Sequence, residues 1–169
     1  CIRDRTLWVQ TGFKSELLTE VLTHFYVMGY MTAIFSAFIY PIYADDRYMA
    51  DRIALTMFYV YILALPFYLF LNVRVTGDVI PGMETLAYDL TPEIRHWFVQ
   101  IDPFTNGMPS LHIGMPFAIW LAFVKWDEDG RWNRFRYFLI IFIALTSVAI
   151  IYLGIHWFVD IIGGMVVGI

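Results

Sequence analysis

The sequence predicts an all-α integral membrane protein, a helical bundle with five visible spans, and three observations carry that reading. Hydrophobic residues make up 60% of the 169, charged residues only 15%, and the mean hydropathy is +0.64, a composition that does not suit a water-facing surface. Apolar runs recur at about the 20 residues that a helix rising about 1.5 Å per residue needs to cross the hydrocarbon. The charges gather in the connections between those runs. Each run must be a helix, because a lone strand would leave its backbone groups unpaired in lipid.

In chain order the spans read as follows. The first runs from Val21 to Tyr43, with His24 near its start. The second, Ile53 to Val73, carries no charge and is bracketed by Arg52 and Arg74. Met108 to Val124 forms the third, and Tyr137 to Ile155 the fourth, after Arg131, Arg134 and Arg136. The fifth starts at His156 and carries Gly164 and Gly168, a small-xxx-small spacing that lets helices approach closely. The whole chain, residues 1–169, reads as a single domain without repeats. It opens without Met and stops inside an apolar run, so a longer protein is expected.

Charge excludes some partners and suggests an orientation. A net charge of -4 and scattered basic residues leave no surface for a nucleic-acid backbone. Cys1 is the sole cysteine, so no internal disulfide and no Cys-based metal cluster can form. The 44–52 and 125–136 connections hold six of the eleven Lys and Arg. Basic connections face the cytoplasm, which puts the opposite end of the bundle, with Arg74, His112 and His156, on the extracytoplasmic side. In the long 74–107 connection, Thr91-Pro92-Glu93 is a helix start, and Ile94, Trp97, Phe98 and Ile101 follow at helical spacing. A short interfacial helix is expected there, as a crosspiece or a lid.

Ionisable groups inside spans are costly and mark function or a buried partner. His112 stands at the start of the third span in Asn106-Gly107-Met108-Pro109-Ser110-Leu111-His112, where the free N–H groups of a first helical turn can bind an anion. His156 and Asp160, at i and i+4, would share one helix face, the carboxylate holding one imidazole nitrogen as N–H and leaving the other as a lone-pair donor. Arg74, ending the second span on that side, offers a fork of donors suited to phosphate oxygens. Together these supply what phosphoryl transfer asks for: stabilised oxygens, an in-line nucleophile and an acid for the leaving oxygen. Each also has a plain structural reading: an interhelical hydrogen-bonder, a snorkelling anchor, packing glycines. The four histidines lack HExxH-type spacing, so neither a metal nor a cofactor is expected.

Met-Pro-Ser-Leu-His (108 to 112) followed by Tyr-Leu-Gly-Ile-His-Trp-Phe-Val-Asp-Ile-Ile-Gly-Gly (152 to 164) resembles the type 2 phosphatidic acid phosphatase superfamily, closest to its inositol phosphorylceramide synthase-like branch. The resemblance implies a six-span core whose first span is missing here and whose last is truncated. It implies a metal-independent lipid phosphatase acting on membrane lipid phosphates: His156 as a nucleophile forming a phosphohistidine, His112 as general acid, Asp160 as the orienting partner, and Ser110, Gly107 and Arg74 binding phosphate. An inositol phosphorylceramide synthase-like phosphotransferase is the alternative. A non-catalytic transporter subunit or scaffold is the alternative of another class. Three departures bear on this. Leu111 replaces the glycine of the usual second motif. Ile150 stands where the third motif has Arg, and the first motif is reduced to Arg74 followed by Val75, with Phe67 at its Lys position. The pocket has lost positive charge, which suits a singly charged phosphodiester better than a dianionic monoester, although Arg95 could restore it.

Overall fold

The computed structural model describes residues 2–88, 96, 100 and 105–169. Eight α-helices follow in order among them: α1 (Ile2–Phe13), α2 (Glu16–His24), α3 (Tyr30–Tyr43), α4 (Arg47–Phe70), the single turn α5 (Thr76–Val79), α6 (Leu111–Trp126), α7 (Asn133–Tyr152) and α8 (Phe158–Val167), with a short 3-10 turn at Leu86–Tyr88. The described residues form no strand, only an isolated parallel bridge between Val73 and Asn106. The expected interfacial helix over 91–101 lies outside the described residues, apart from His96 and Gln100.

The helix starts follow local chemistry. Ser15 caps α2, its hydroxyl accepting from the Leu18 N–H, and Glu16 sits in the first turn. A wider, π-helical turn over Phe25–Gly29 joins α2 to α3, so Glu16–Tyr43 makes one apolar stretch of 28 residues. Asp46 caps α4 by accepting from the Met49 N–H at 3.0 Å.

Among the described residues, three stretches are long and apolar enough to cross a membrane: Glu16–Tyr43, Arg47–Phe70 and Asn133–Tyr152. The other two expected spans are shorter apolar helices, α6 with 16 residues and α8 with 10. Two boundaries correct the sequence reading. The second span ends at Phe70 and not Val73, because Leu71 leaves helical geometry, and Arg74 therefore follows the helix in extended chain. The fifth helix starts at Phe158, so His156 precedes it.

The core lies around α6, which packs against α3, α4, α7 and α8 and buries Ile113, Met115, Ile119 and Phe123. Glycine lets α6 and α8 touch: a Cβ on Gly114 would stand 2.7 Å from the Gly164 carbonyl oxygen, and one on Gly168 would stand 2.7 Å from the Gly114 carbonyl oxygen. The small-xxx-small spacing of α8 thus packs against α6. Outward-facing residues of α4 such as Phe58, Tyr59, Leu63 and Leu69 are exposed, and a helix apolar all round fits a lipid surrounding. α1 docks through Gln10, whose amide donates to the carbonyls of Glu84 and Tyr152, both at 2.8 Å, while its oxygen accepts from the Glu84 N–H.

Candidate active site

The end of α4, the start of α6 and the approach to α8 meet at one end of the bundle. Short links between distant segments hold them. Val73 pairs with Asn106, the Gly107 N–H donates to the Val73 carbonyl at 2.9 Å, and the Ser110 N–H donates to the Asp160 carbonyl at 3.1 Å. The Tyr68 hydroxyl of α4 donates to the Pro109 carbonyl at 2.6 Å. The Trp157 indole N–H donates to the Arg74 carbonyl at 2.9 Å.

His156 owes its position to the way α7 stops. Gly154 takes φ +75, a left-handed conformation that releases the chain from the helix. The segment is then pinned through Gly77 N–H to Gly154 O, at 2.8 Å, and Leu86 N–H to Leu153 O, at 3.0 Å. His156 is 3% exposed and Asp160 1%. His156 Nδ1 lies 2.7 Å from the Gly107 carbonyl oxygen and 3.4 Å from Asp160 Oδ2. A carbonyl can only accept, so the hydrogen bond puts the proton on Nδ1 and leaves Nε2 with its lone pair. Asp160 Oδ2 also accepts from the Trp157 N–H at 2.7 Å, capping α8. The two side chains meet because Asp160 folds back over the helix start, not because both ride one helix face.

His112, the second residue of α6, is partly buried and lies against two tyrosines. Its ring stacks on Tyr26, with centroids 4.1 Å apart and planes at 26°, and meets Tyr30 at 4.4 Å and 46°. The ring centroids of His112 and His156 are 6.2 Å apart. The structure therefore brings together the three residues singled out for chemistry, from segments 44 or more positions apart in the chain.

The three expected phosphate ligands have different surroundings. Ser110 is fully buried at the N-cap position of α6, and its hydroxyl makes no capping bond and has no hydrogen-bond partner among the described residues. Three buried threonines share that state, so the hydroxyl alone does not define a site. Gly107 has both backbone groups engaged, the N–H with Val73 and the carbonyl with His156. Its place is in the frame that orients the histidine, and a Cβ there would stand 2.8 Å from the Val73 carbonyl oxygen. The Arg74 side chain is 68% exposed and 3.6 Å from Asp78, and it is not among the residues lining the cavity beside the histidines.

That cavity, of about 610 Å³, is a half-open groove between α3 and α4. Met28, Met31, Phe58 and Leu65 form its walls, and His112 and His156 stand at its head. No Lys or Arg lines it among the described residues. Sequence reasoning missed Tyr26, Tyr30 and Tyr68, since a tyrosine in an apolar helix has many ordinary roles. The one available signal was Tyr26 and Tyr30 at i and i+4, which puts both on one helix face.

The chain resembles the crystal structure of Aquifex aeolicus LpxE with a TM-score of 0.72, covering 98% of this chain and 88% of that one at 18% identity, which shows a shared fold. No curated protein matches it. Residues 85–169, just over half of the chain and the part that carries His112, His156 and Asp160, match the PAP2 superfamily, and the chain belongs to that superfamily.

Proposed function

We propose that this membrane protein is a lipid phosphatase that works through a phosphohistidine on His156. The observation that carries the reading is the geometry of His156: with Nδ1–H held by the Gly107 carbonyl, Nε2 is a lone-pair donor within one phosphoryl group's reach of His112. Nε2 attacks phosphorus and forms the N–P bond while the bond from phosphorus to the lipid oxygen breaks. His112, entering protonated, gives its proton to that departing oxygen. Water then attacks the phosphohistidine, His112 takes the proton from water, and inorganic phosphate leaves with both imidazoles back in their starting forms. Asp160 and the Gly107 carbonyl stabilise the positive charge that His156 carries in the intermediate. The Ser110 hydroxyl and the Arg74 guanidinium are the proposed phosphate donors, Arg74 requiring release from Asp78. The apolar groove takes the hydrocarbon chain, which lets a substrate stay in the bilayer while its phosphate reaches the histidines.

A phosphotransferase of the inositol phosphorylceramide synthase type is the second reading. Leu111 on the groove wall and the lack of lining cations among the described residues support it, since both suit a singly charged diester and an apolar acceptor. By the charge bias, the histidine end faces the extracytoplasmic side.

The decisive experiment incubates purified protein with lipid phosphates and phosphatidylinositol, with and without a ceramide-like alcohol, in excess EDTA and then with orthovanadate. Phosphate release that survives EDTA and stops with vanadate is expected. New phospholipid made only with the alcohol would select the transferase. Neither product, or loss on chelation restored by Mg²⁺, would refute the site. Activity should also follow a bell-shaped pH profile, because the nucleophile must be neutral and the acid protonated; a flat profile between about pH 5 and 8 would count against the pair.

A further inference from the structure

We infer that Tyr26 and Tyr30 are positioning residues that clamp the imidazole of His112 and so set its competence as the acid for poor leaving groups. The inference rests on the phosphotransfer reading above. Three observations converge on the clamp. Tyr26 is fully buried and its ring lies nearly parallel to that of His112 at 4.1 Å, while Tyr30 closes on the same imidazole at 4.4 Å. Both tyrosines come from the one irregular point in an otherwise continuous helix, the wide turn over Phe25–Gly29, with Tyr30 its first residue beyond. Such turns insert an extra residue and change which side chains face a given neighbour, and they recur at functional sites.

The turn is built in, not frayed. Phe25 packs on Phe142 of α7, with ring centroids 5.1 Å apart. Gly29 leaves room for it, since a Cβ there would stand 3.2 Å from the Phe25 ring. The neighbouring residue Tyr26 is thereby directed at α6.

Two aromatic rings packed on an imidazole, one of them stacked face to face, restrict its rotation. Among the described residues, His156, with its ring centroid at 6.2 Å, faces His112 together with the two tyrosines, and it must stay neutral to attack. The tyrosines thus fix the orientation of the acid.

The test uses two phosphate esters, an alkyl lipid phosphate whose alkoxide needs a proton and a p-nitrophenyl ester whose phenolate leaves unaided. Wild-type turnover and its loss in His156→Ala first check the underlying reading, so failure there is distinct from failure of the clamp. Tyr26→Leu and, separately, Tyr30→Leu should lower kcat on the alkyl ester by about tenfold or more, a part of the 10²-fold to 10⁴-fold that a general acid supplies, with clearly smaller losses on the p-nitrophenyl ester. Tyr26→Phe and Tyr30→Phe keep the aromatic face and should restore the wild-type ratio between substrates. Equal losses on both esters in folded protein, or no loss, would overturn the proposal. Because Tyr26 is in the core, a second measurement uses the wild-type chain: the His112 ring protons should resonate upfield of a free imidazole through the ring currents of the two tyrosines. An unshifted His112 signal would overturn it as well.

Discussion

The two ends of the bundle are built on different principles. At the histidine end, segments far apart in the chain are tied by main-chain groups, with the Gly107 carbonyl on His156 and the Asp160 carbonyl on the Ser110 N–H. At the opposite end, the 44–52 and 125–136 connections are held by side chains. The Trp132 indole N–H donates to Asp46 Oδ2 at 2.8 Å, the Asp127 carboxylate accepts from the Trp132 N–H at 2.9 Å, and Arg131 donates to the Ala44 carbonyl. The cations there lie over aromatic rings: Arg52 is 4.9 Å from the Tyr48 centroid and Lys125 5.1 Å from that of Trp126. Such pairs of basic and aromatic residues suit a membrane interface, where one part is wet and the other apolar. One end is tied by side chains; the other holds the His156 imidazole through a main-chain carbonyl.

The sharpest contrast comes from deleting one group at each end. His156→Ala should abolish turnover, by about 10⁴-fold or more, whereas Asp46→Ala should leave turnover per folded molecule unchanged. Steady-state rates normalised to folded protein decide it, and residual activity in His156→Ala would break the comparison at its root. Next in size, Asp160→Asn should cost roughly 10²-fold to 10⁴-fold in kcat. Its unfolding midpoint should change little, since asparagine still offers an oxygen to the Trp157 N–H. A full-rate Asp160→Asn enzyme would mean that the Gly107 carbonyl alone orients His156.

Smaller effects probe the packing between the ends. Gly114→Ala puts a methyl group into the space occupied by the Gly164 carbonyl, and overpacking of that kind costs about 1–3 kcal/mol; denaturant unfolding in detergent measures it. Smallest of all, Trp132→Phe removes the hydrogen bond to Asp46 and should cost about 1 kcal/mol, with no change in kcat. A change in kcat there would mean that the two ends are coupled.

Much of this arrangement was legible beforehand, and particular residues explain where it stopped being so. The apolar runs located the helices, and counting spans was enough to bring Arg74, His112 and His156 to one end. Boundaries at that end were less legible. Arg74 fell outside α4, and its guanidinium pairs with Asp78, because a positively charged residue after an apolar run marks the run's end only to within a few positions. His156 fell outside α8, because the left-handed glycine at 154 that stops α7 is separated from it by a single residue, Ile155. Gly107 was read as a phosphate ligand from its place near the motif, yet both of its backbone groups are already committed.

What the sequence by itself determined is the apolar helices and which ionisable side chains lie among them, since hydrophobicity, span length and ionisable groups in apolar runs are written residue by residue. Only the tertiary structure decided which nitrogen of His156 meets a carbonyl and which rings lie against His112. The first depends on a carbonyl oxygen 49 residues away, and every residue carries such a carbonyl, so no residue type signals it. The second depends on how the helix runs through the wide turn at Phe25–Gly29, where Phe25 packs on Phe142 of α7, and no single residue type announces such a turn.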